Sequence, residues 1–413
     1  MIRIMRAEEY SRKGTGAASP DVAETVRGIL ADVKARGDEA VREYEVKFGG
    51  TGELEVPEEE IPRSLETVGA EYAGMLSRAA GNIRAFHARQ VREGFMFSPE
   101  EGVILGQRVI PLKRVGLYVP GGRASYPSTV LMNAIPAKIA GCEEIFIATP
   151  NPAPEILAAA SIAGVTRIFR MGGAQAIGAF AYGTETVPRV DKITGPGNSY
   201  VAEAKRQVYG AVDIDMTAGP SEILIIAASD NNPSHMAADM LAQAEHDPSA
   251  SSILITDSPE FARKVAAEID RQLEALERRE TAGASIDANG AILLVDRLID
   301  AAKIADDIAP EHLELCVDDP FTWLTRIRNA GSVFIGRNSP EALGDYYAGA
   351  NHTLPTMGTA RFSSPLSVDD FVRKSQYIYY TADALSKASG DIEMFAMSEG
   401  LTGHAASVTV RRG

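Results

Sequence analysis

Only two cysteines, Cys142 and Cys316, occur in the 413 residues, so neither a disulfide framework nor a thiolate metal cage can be built from this chain. Both stand beside apolar segments, in "IAGCEEIFIA" and "LELCVDD", and read as buried, inert thiols. No run approaches eighteen apolar residues, and "MIRIMRAEEYSRKG" at the amino terminus carries charges where a secretory signal would place its apolar core. No membrane partner is expected, and the expected location is cytoplasmic. Basic residues are also scarce: 41 Lys and Arg face 56 Asp and Glu, a net charge of −15 with no basic block, so no nucleic-acid partner is expected. Short-period repeats and low-complexity tracts are missing too. What remains is globular material, 45% hydrophobic and 23% charged, long enough for two or more domains with substantial cores.

Two periods alternate along the chain. "SPDVAETVRGILADVKARG" opens with Pro20 just inside a helix start and spaces Val22, Val26, Ile29, Leu30 and Val33 helically. Residues 60–92 read as a long helical stretch, and "GVILGQRVIPLKRVGLYVPGG" switches to β-branched residues punctuated by Gly and Pro. Then the rhythm becomes regular. "STVLMNAIPAKIAG", "APEILAAASIAG" and "AQAIGAFAYG" read as helices between the strands "EEIFIATP" and "VTRIFRMG". A second series follows, with strands "SEILIIAAS", "SSILITDS", "GAILLVDR" and "GSVFIGRN" and helices "PSHMAADMLAQAEHD" and "PEFARKVAAEIDRQLEALERR". This is βαβ logic with parallel sheets, in two α/β units joined near residue 220. From 366 onward, "SVDDFVRKSQYIYYTADAL" reads as helical and the final "ASVTVRR" as strand-like, in a tail too small for an independent core.

Three Gly-rich turns follow strands of the first series: "YVPGGRASYPS" (118–128), "MGGAQAIG" (171–178) and "ITGPGNSY" (193–200). Loops at the carboxyl ends of parallel strands form binding crevices. Gly195 and Gly197 give G-x-G, but Tyr200 occupies the third glycine's place, so that motif is weak, and a tight turn without a ligand stays open for each loop.

Ionisable residues cluster further on. In "LAQAEHDPSA" a helix would put Gln243 and His246 on one face, able to offer an oxygen and an imidazole to one ion; a solvated helix end is the plainer alternative. "PEHLEL" sets Glu311 and His312 side by side, poor spacing for one metal but workable for separate acid and base roles, with an exposed loop pair as the alternative. Ser221 in "GPSE" is not a nucleophile elbow and reads as a hydrogen-bonding turn. His87 and His235, on predicted helices without acidic neighbours, read as structural, whereas His352, close after Asp345, suits either a partner of the site or a structural loop.

The blocks "VGLYVPGGRASYPSTVLMNAIPAKIAG", "ITGPGNSYVAEAKRQV", "DMTAGPSEILIIA", "AQAEHDP", "APEHLEL", "SPEALGDYYAGANHTLPTMGTARFSSPLSVDDF" and "EGLTGHAASV" run in order from residue 115 to the end. By these blocks the chain resembles the histidinol dehydrogenase family. It departs at Ala350, where Pro is frequent, and at Gly403, where Ala is frequent.

The resemblance implies zinc-dependent, NAD-linked oxidation of L-histidinol to L-histidine through L-histidinaldehyde, the last step of histidine biosynthesis. It implies Gln243, His246, Asp345 and His404 as zinc ligands. Ser221 and Glu399 would join these four and His312 in binding substrate, and Tyr118, Gln175 and Asn198 would contact NAD. His312 would take the alcohol proton and Glu311 would activate the water that hydrates the aldehyde. A homodimer with shared active sites is also implied, Glu399 and His404 completing the neighbour's site. The expected fold is α/β, with two incomplete Rossmann-like parallel-sheet domains and small terminal extensions. Its divisions are 1–19, an N-terminal extension; 20–114 with 222–365, carrying the metal and catalytic residues; 115–221, carrying the NAD loops; and 366–413, a tail docked on the partner. A zinc hydrolase using the same ligands and a non-catalytic two-lobed binding protein are the alternatives, and neither accounts for the run of blocks.

Overall fold

The computed structural model describes residues 2–11, 19–121 and 125–412. Residues 122–124, in the first Gly-rich turn, and 12–18, in the N-terminal extension, lie outside it. The chain divides into two compact units, Met1–Gln90 with Leu112–Phe371, and Val91–Pro111 with Val372–Gly413.

The chain begins with β1 (Arg3–Arg6) and the helices α1 (Pro20–Arg36), α2 (Asp38–Lys47), α3 (Glu60–Val68) and α4 (Ala70–His87). After β2 (Phe95–Phe97) and β3 (Val103–Pro111), strand and helix alternate: β4 (Arg114–Tyr118), α5 (Pro127–Ala140), β5 (Glu144–Ala148), α6 (Pro154–Ala163), β6 (Arg167–Phe169), α7 (Gly173–Tyr182), β7 (Lys192–Thr194), α8 (Ser199–Val208) and β8 (Asp213–Ile214). The second series runs β9 (Glu222–Ala227), α9 (Pro233–Ala244), β10 (Ser251–Thr256), α10 (Pro259–Leu273), α11 (Arg279–Asn289), β11 (Ala291–Leu294), α12 (Ala301–Ile308), β12 (His312–Cys316), α13 (Pro320–Leu324), β13 (Ser332–Ile335) and α14 (Glu341–Tyr346). The chain closes with β14 (Val372–Tyr380), α15 (Ala382–Ser398) and α16 (Thr402–Thr409).

Two parallel sheets form the larger unit, in the orders β6-β5-β4-β7-β8 and β1-β11-β10-β9-β12-β13. Both are covered on both faces, so strands such as β5 (EIFIA) and β9 (EILIIA) run almost continuously apolar, while β12 (HLELC) carries His312 and Glu314 into the interior. In β9, Ile223 and Ile225 pack under α9 and α10 while Leu224 and Ile226 pack under α12. The five-stranded sheet is sandwiched likewise, with α3–α6 on one face and α1, α2, α7 and α8 on the other. Residues 20–87, expected alongside 222–365, thus share their apolar cores with β4–β6. Several helices start where the sequence signals a start, on a side-chain cap followed by proline: Ser19–Pro20, Asn232–Pro233 and Ser258–Pro259.

Because every strand of these two sheets is parallel to its neighbours, each sheet has one amino edge and one carboxyl edge. The link "DMTAGPS" (215–221) leaves the carboxyl edge of the five-stranded sheet at β8 and enters the amino edge of the six-stranded sheet at β9. The two sheets therefore turn opposite edges toward it.

Several expectations need correction. The segment expected to be helical after 366 holds β14, which pairs antiparallel with β3 along its whole length; its "VRKSQYIYY" is rich in β-branched and aromatic residues that the sheet accepts. The strand-like carboxyl end is α16, packed on α15, with the Ser407 and Thr409 hydroxyls bonded back to the carbonyls of His404 and Ala405; tertiary packing overrides weak β propensity there. The stretch 60–92 breaks at Gly69, which takes φ +81° between α3 and α4. The long helix begun at Pro259 stops at Leu273, and a separate α11 follows. Cys142 and Cys316 are buried as expected, and burial pushes both thiols up to about 12. Among the described residues, no helix is long and apolar enough to cross a membrane.

The smaller unit is a three-stranded antiparallel sheet, β14-β3-β2, with the α15–α16 pair. It exposes large apolar side chains at Phe95, Met96, Phe97, Ile378, Met394 and Phe395.

Candidate active site

A cleft of about 1780 Å³ runs between the amino edge of the six-stranded sheet and the carboxyl edge of the five-stranded one. Its volume exceeds the several hundred cubic ångströms that a single small ligand needs.

On the six-stranded side the chemistry sits at the first residues of two adjacent central strands. Glu222 opens β9 and His312 opens β12, paired in register as His312 with Ile223. The Glu222 N–H donates to Glu311 Oε2 at 2.8 Å, and the Glu222 carbonyl lies 3.1 Å from His312 Nδ1. A carbonyl only accepts, so Nδ1 donates to it and Nε2 is the nitrogen that can exchange a proton with a bound molecule. Asp345 Oδ1 stands 3.8 Å from that Nε2. Glu311 and His312 are 5% and 3% exposed, which rules out the exposed loop pair.

Gln243 lies in the last turn of α9, which ends at Ala244, so the helical face expected to carry both Gln243 and His246 is cut short. A turn bond from His246 N to Gln243 O holds the two together instead. Gln243 is fully buried, whereas His246 opens to the cleft. With its nitrogen toward Glu341 Oε1 (2.9 Å) and Glu222 O (3.3 Å), the Gln243 amide satisfies those acceptors and turns its oxygen away from them. Asp345 lies one turn along α14 from Glu341, and its carbonyl is 3.1 Å from His352 Nδ1. His352 thus supports the Asp345 backbone and also lines the cleft.

The electrostatics are unusual for carboxyl groups. Burial pushes Glu311 up to about 7 against the opposing pull of His312. Burial raises Glu341 as well, again opposed by His312. For His312, burial disfavours the cation, but Glu341, Glu311 and Asp345 outweigh it and hold the imidazole well above its ordinary value. Asp345 is penalised by burial and still ends below the carboxylate range, because His312, His352 and His246 face it.

The five-stranded side is built mainly from backbone. Tyr118 ends β4, and its hydroxyl accepts from Gly173 N at 3.1 Å. Gln175, in the first turn of α7, donates to Glu45 Oε1 at 2.9 Å, and the same oxygen accepts from Gly172 N at 2.9 Å. Asn198 caps α8, its Oδ1 accepting from the backbone of Tyr200 and Val201. At Gly195, φ is +108° and a Cβ would meet the Tyr118 carbonyl oxygen at 2.1 Å, so only glycine fits. Asn198 lines the cleft, while Tyr118 and Gln175 are buried behind its wall.

A family model for histidinol dehydrogenase matches residues 12–412. Histidinol dehydrogenases of Syntrophotalea carbinolica and Geobacter sulfurreducens are 53% and 52% identical to the chain, over 96% and 99% of it and 94% and 95% of their own lengths. The crystal structure of histidinol dehydrogenase from Elizabethkingia anophelis superposes with a TM-score of 0.92 at 36% identity, covering 99% of this chain and 98% of that one. The chain belongs to the histidinol dehydrogenase family.

Of the residues this family resemblance singled out, the larger unit brings Ser221, Gln243, His246, Glu311, His312 and Asp345 to one wall of the cleft and Asn198 to the other. Glu399 and His404 belong to the smaller unit, at the C-cap of α15 and within α16, and both are exposed. The donors on the first wall fit a zinc ion: His246, Glu341 and Asp345 bring ligand atoms within 4.8 Å of one another beside the Gln243 amide, an imidazole and oxygen set.

Glu341 was not singled out from the sequence. It is 3% exposed and faces Gln243 and His312, and its signal is the spacing to Asp345, four residues on and hence on the same helical face. Glu45, 3% exposed, was also missed; it follows Val41 by four residues, a charge at a position whose neighbours are core.

Proposed function

We propose that the chain oxidises L-histidinol to L-histidine by way of L-histidinaldehyde, the last step of histidine biosynthesis, with NAD and zinc, in the cytoplasm. The observation that carries this reading is the buried Glu311–His312 pair beside Gln243, His246 and Asp345, facing Gly-rich loops across one cleft.

Gln243, His246 and Asp345, with His404 of the partner subunit, would hold zinc; Tyr118, Gln175 and Asn198 would shape the NAD site. When bound, zinc would supply positive charge toward the imidazole and amine nitrogens of the substrate, and NAD would accept hydride. The chain's own residues do the rest. His312, its Nδ1 proton fixed on the Glu222 carbonyl, takes the hydroxyl proton at Nε2 as the carbinol C–H bond breaks. Glu311, with a carboxyl near neutrality, takes a proton from the water that adds to the aldehyde while His312 returns its proton to the carbonyl oxygen; this gives the hydrate and frees His312 to deprotonate it in the second oxidation. Ser221 hydrogen-bonds the substrate at the cleft wall, and Glu399 of the partner subunit pairs with its ammonium group. Two oxidations at one site keep the aldehyde from solvent.

The shared site is supported by the exposed apolar surface of the smaller unit, which a second protomer would cover. Co-expression of His404→Ala with Glu311→Gln chains tests it: a mixed dimer with shared tails has one intact site, so activity returns, whereas inactive mixed dimers refute sharing. The function itself is tested by supplying histidinol and NAD with and without a chelator. The expected result is two NADH per histidinol, lost on chelation and restored by zinc; turnover without nicotinamide would refute it.

A further inference from the structure

Behind the third Gly-rich loop lies an ion pair that the reaction does not use. Lys205, on α8, is 1% exposed, and its ammonium meets the Asp215 carboxylate, whose side chain is also 1% exposed. Asp215 is the first residue after β8, where the chain starts across to the other sheet. Both members of the pair hold the same residue. Lys205 Nζ donates to the Gly195 carbonyl at 2.9 Å, and Gly195 N donates to Asp215 Oδ2 at 2.8 Å. Asp215 Oδ1 accepts from Met216 N at 2.6 Å, so the same carboxylate also starts the crossing link.

A buried ion pair is a weak source of stability, because desolvating two charges costs about as much as their attraction returns, and apolar replacements of similar volume are often neutral or better. Its geometry is what apolar residues cannot reproduce. Gly195 sits at φ +108° with its Cα against the Tyr118 carbonyl, and Gly197 sits against Val201, where a Cβ would come within 2.4 Å. The turn is therefore pressed between β4 and α8 with both polar groups of Gly195 turned inward onto the pair. Without the pair those two groups would be buried and unpaired, and the turn would relax toward water. Asn198, three residues on, would move with it.

We propose that Lys205 and Asp215 act together as positioning residues for the dinucleotide: by fixing the N–H and the C=O of Gly195, they set the turn that presents Asn198 and the start of α8 to the cofactor. This rests on the reading that the five-stranded wall takes NAD. Asp215 lines the cleft, but its carboxylate is 1% exposed and engaged by Lys205, Gly195 and Met216, so the pair acts through the turn, governing cofactor affinity and leaving the chemical step alone.

The test uses the zinc-loaded full chain and NADH as probe, with equilibrium titration by NADH fluorescence alongside steady-state kinetics. Asp215→Asn and the double variant Lys205→Met/Asp215→Leu are compared with Asn198→Ala. Both variants should melt below the unaltered chain because the Gly195 groups lose partners, and the double variant, which leaves no lone buried charge, should melt no lower than Asp215→Asn. In both variants the NADH dissociation constant and the KM for NAD should rise about tenfold or more, as a small displacement of a positioning group does, with kcat within about threefold and the KM for histidinol unchanged. If the double variant does not fold, Asp215→Asn, close to isosteric, carries the test alone. Unchanged NADH affinity in either folded variant, while Asn198→Ala weakens it, overturns the clamp and leaves the NAD reading standing. Unchanged affinity in Asn198→Ala as well overturns both. A fall in kcat with NADH affinity intact also contradicts the clamp, since it would place the pair in the chemical step.

Discussion

The two walls of the cleft are made from the same kind of parallel sheet and differ in which edge they present. The five-stranded sheet offers its carboxyl edge, so the helices that follow its strands point their amino ends at the cleft: α5 begins at Pro127 and α8 at Ser199, beside lining residues Ser128 and Asn198. The six-stranded sheet offers its amino edge, so helices arrive carboxyl end first: α9 finishes beside Gln243, and α11 finishes at the lining residue Asn289. Short α14, opening with Glu341, is the exception. A helix carries about half a positive charge at its amino end and half a negative one at its carboxyl end. One wall thus favours an anion such as a pyrophosphate and the other a cation. Side chains follow the same division. The cation wall gathers Glu311, His312, Glu314 and Glu341, all buried, whereas the other is ordered chiefly by backbone groups, Asn198, Glu45 and one ion pair. Reversing which sheet edge faces the cleft gives its two walls opposite helix-end charge.

The largest expected effect breaks the cation wall alone. His246→Asn should cut histidinol oxidation by roughly a hundredfold or more and lower bound zinc in the purified protein, while NADH binding stays within about twofold. Parallel measurement of metal content, turnover and NADH affinity checks it; full activity in zinc-depleted protein would show that the wall works without its ion.

Glu311→Gln sharpens the comparison within that wall. Only aldehyde oxidation needs a water activated, so this variant should slow the aldehyde half-reaction by about a hundredfold or more and the alcohol half-reaction far less. Each half-reaction can be assayed separately, and equal losses would assign Glu311 to both steps.

The smallest effect probes the backbone wall through Glu45, whose single oxygen accepts from Gly172 N and Gln175 Nε2. Glu45→Ala leaves both donors unsatisfied, at about 1–3 kcal/mol each, and should weaken NADH binding as the loop loosens. Glu45→Gln keeps an acceptor oxygen and loses the charge. Burial raises the Glu45 carboxyl above its ordinary value, with the two donors only partly offsetting this. The folded chain therefore holds that proton more tightly than the unfolded one, and its stabilising contribution is present below about pH 4 and lost as pH rises through the raised value. The melting temperature of Glu45→Gln should gain on the unaltered chain as pH rises from about 4 to 8, and a variant that loses ground to it over that range contradicts the assignment.

Much of this division was legible. Central strands such as "EILIIA" read as continuous apolar runs because both their faces are covered, and the alternation with helices follows from parallel pairing. The tail was misread because β14 gains its strand character from β3, a partner far away in sequence, and a local window cannot supply that. At the site, Gln243, His246, Glu311, His312 and Asp345 stood out through the blocks that resemble a family. Glu341, Glu45, Lys205 and Asp215 did not, since an ordinary charged residue on a helix or after a strand declares its role only when the fold shows what it meets and that water is excluded. Opposite sheet edges were likewise invisible until the 215–221 link could be followed from one sheet into the other.

The independence of the two walls is tested most directly by calorimetric titration of one zinc-depleted preparation with histidinol and, separately, with NADH. The account predicts that depletion abolishes histidinol binding, that added zinc restores it, and that NADH affinity stays within about twofold throughout. Loss of both affinities together, or histidinol affinity that survives depletion, would contradict it.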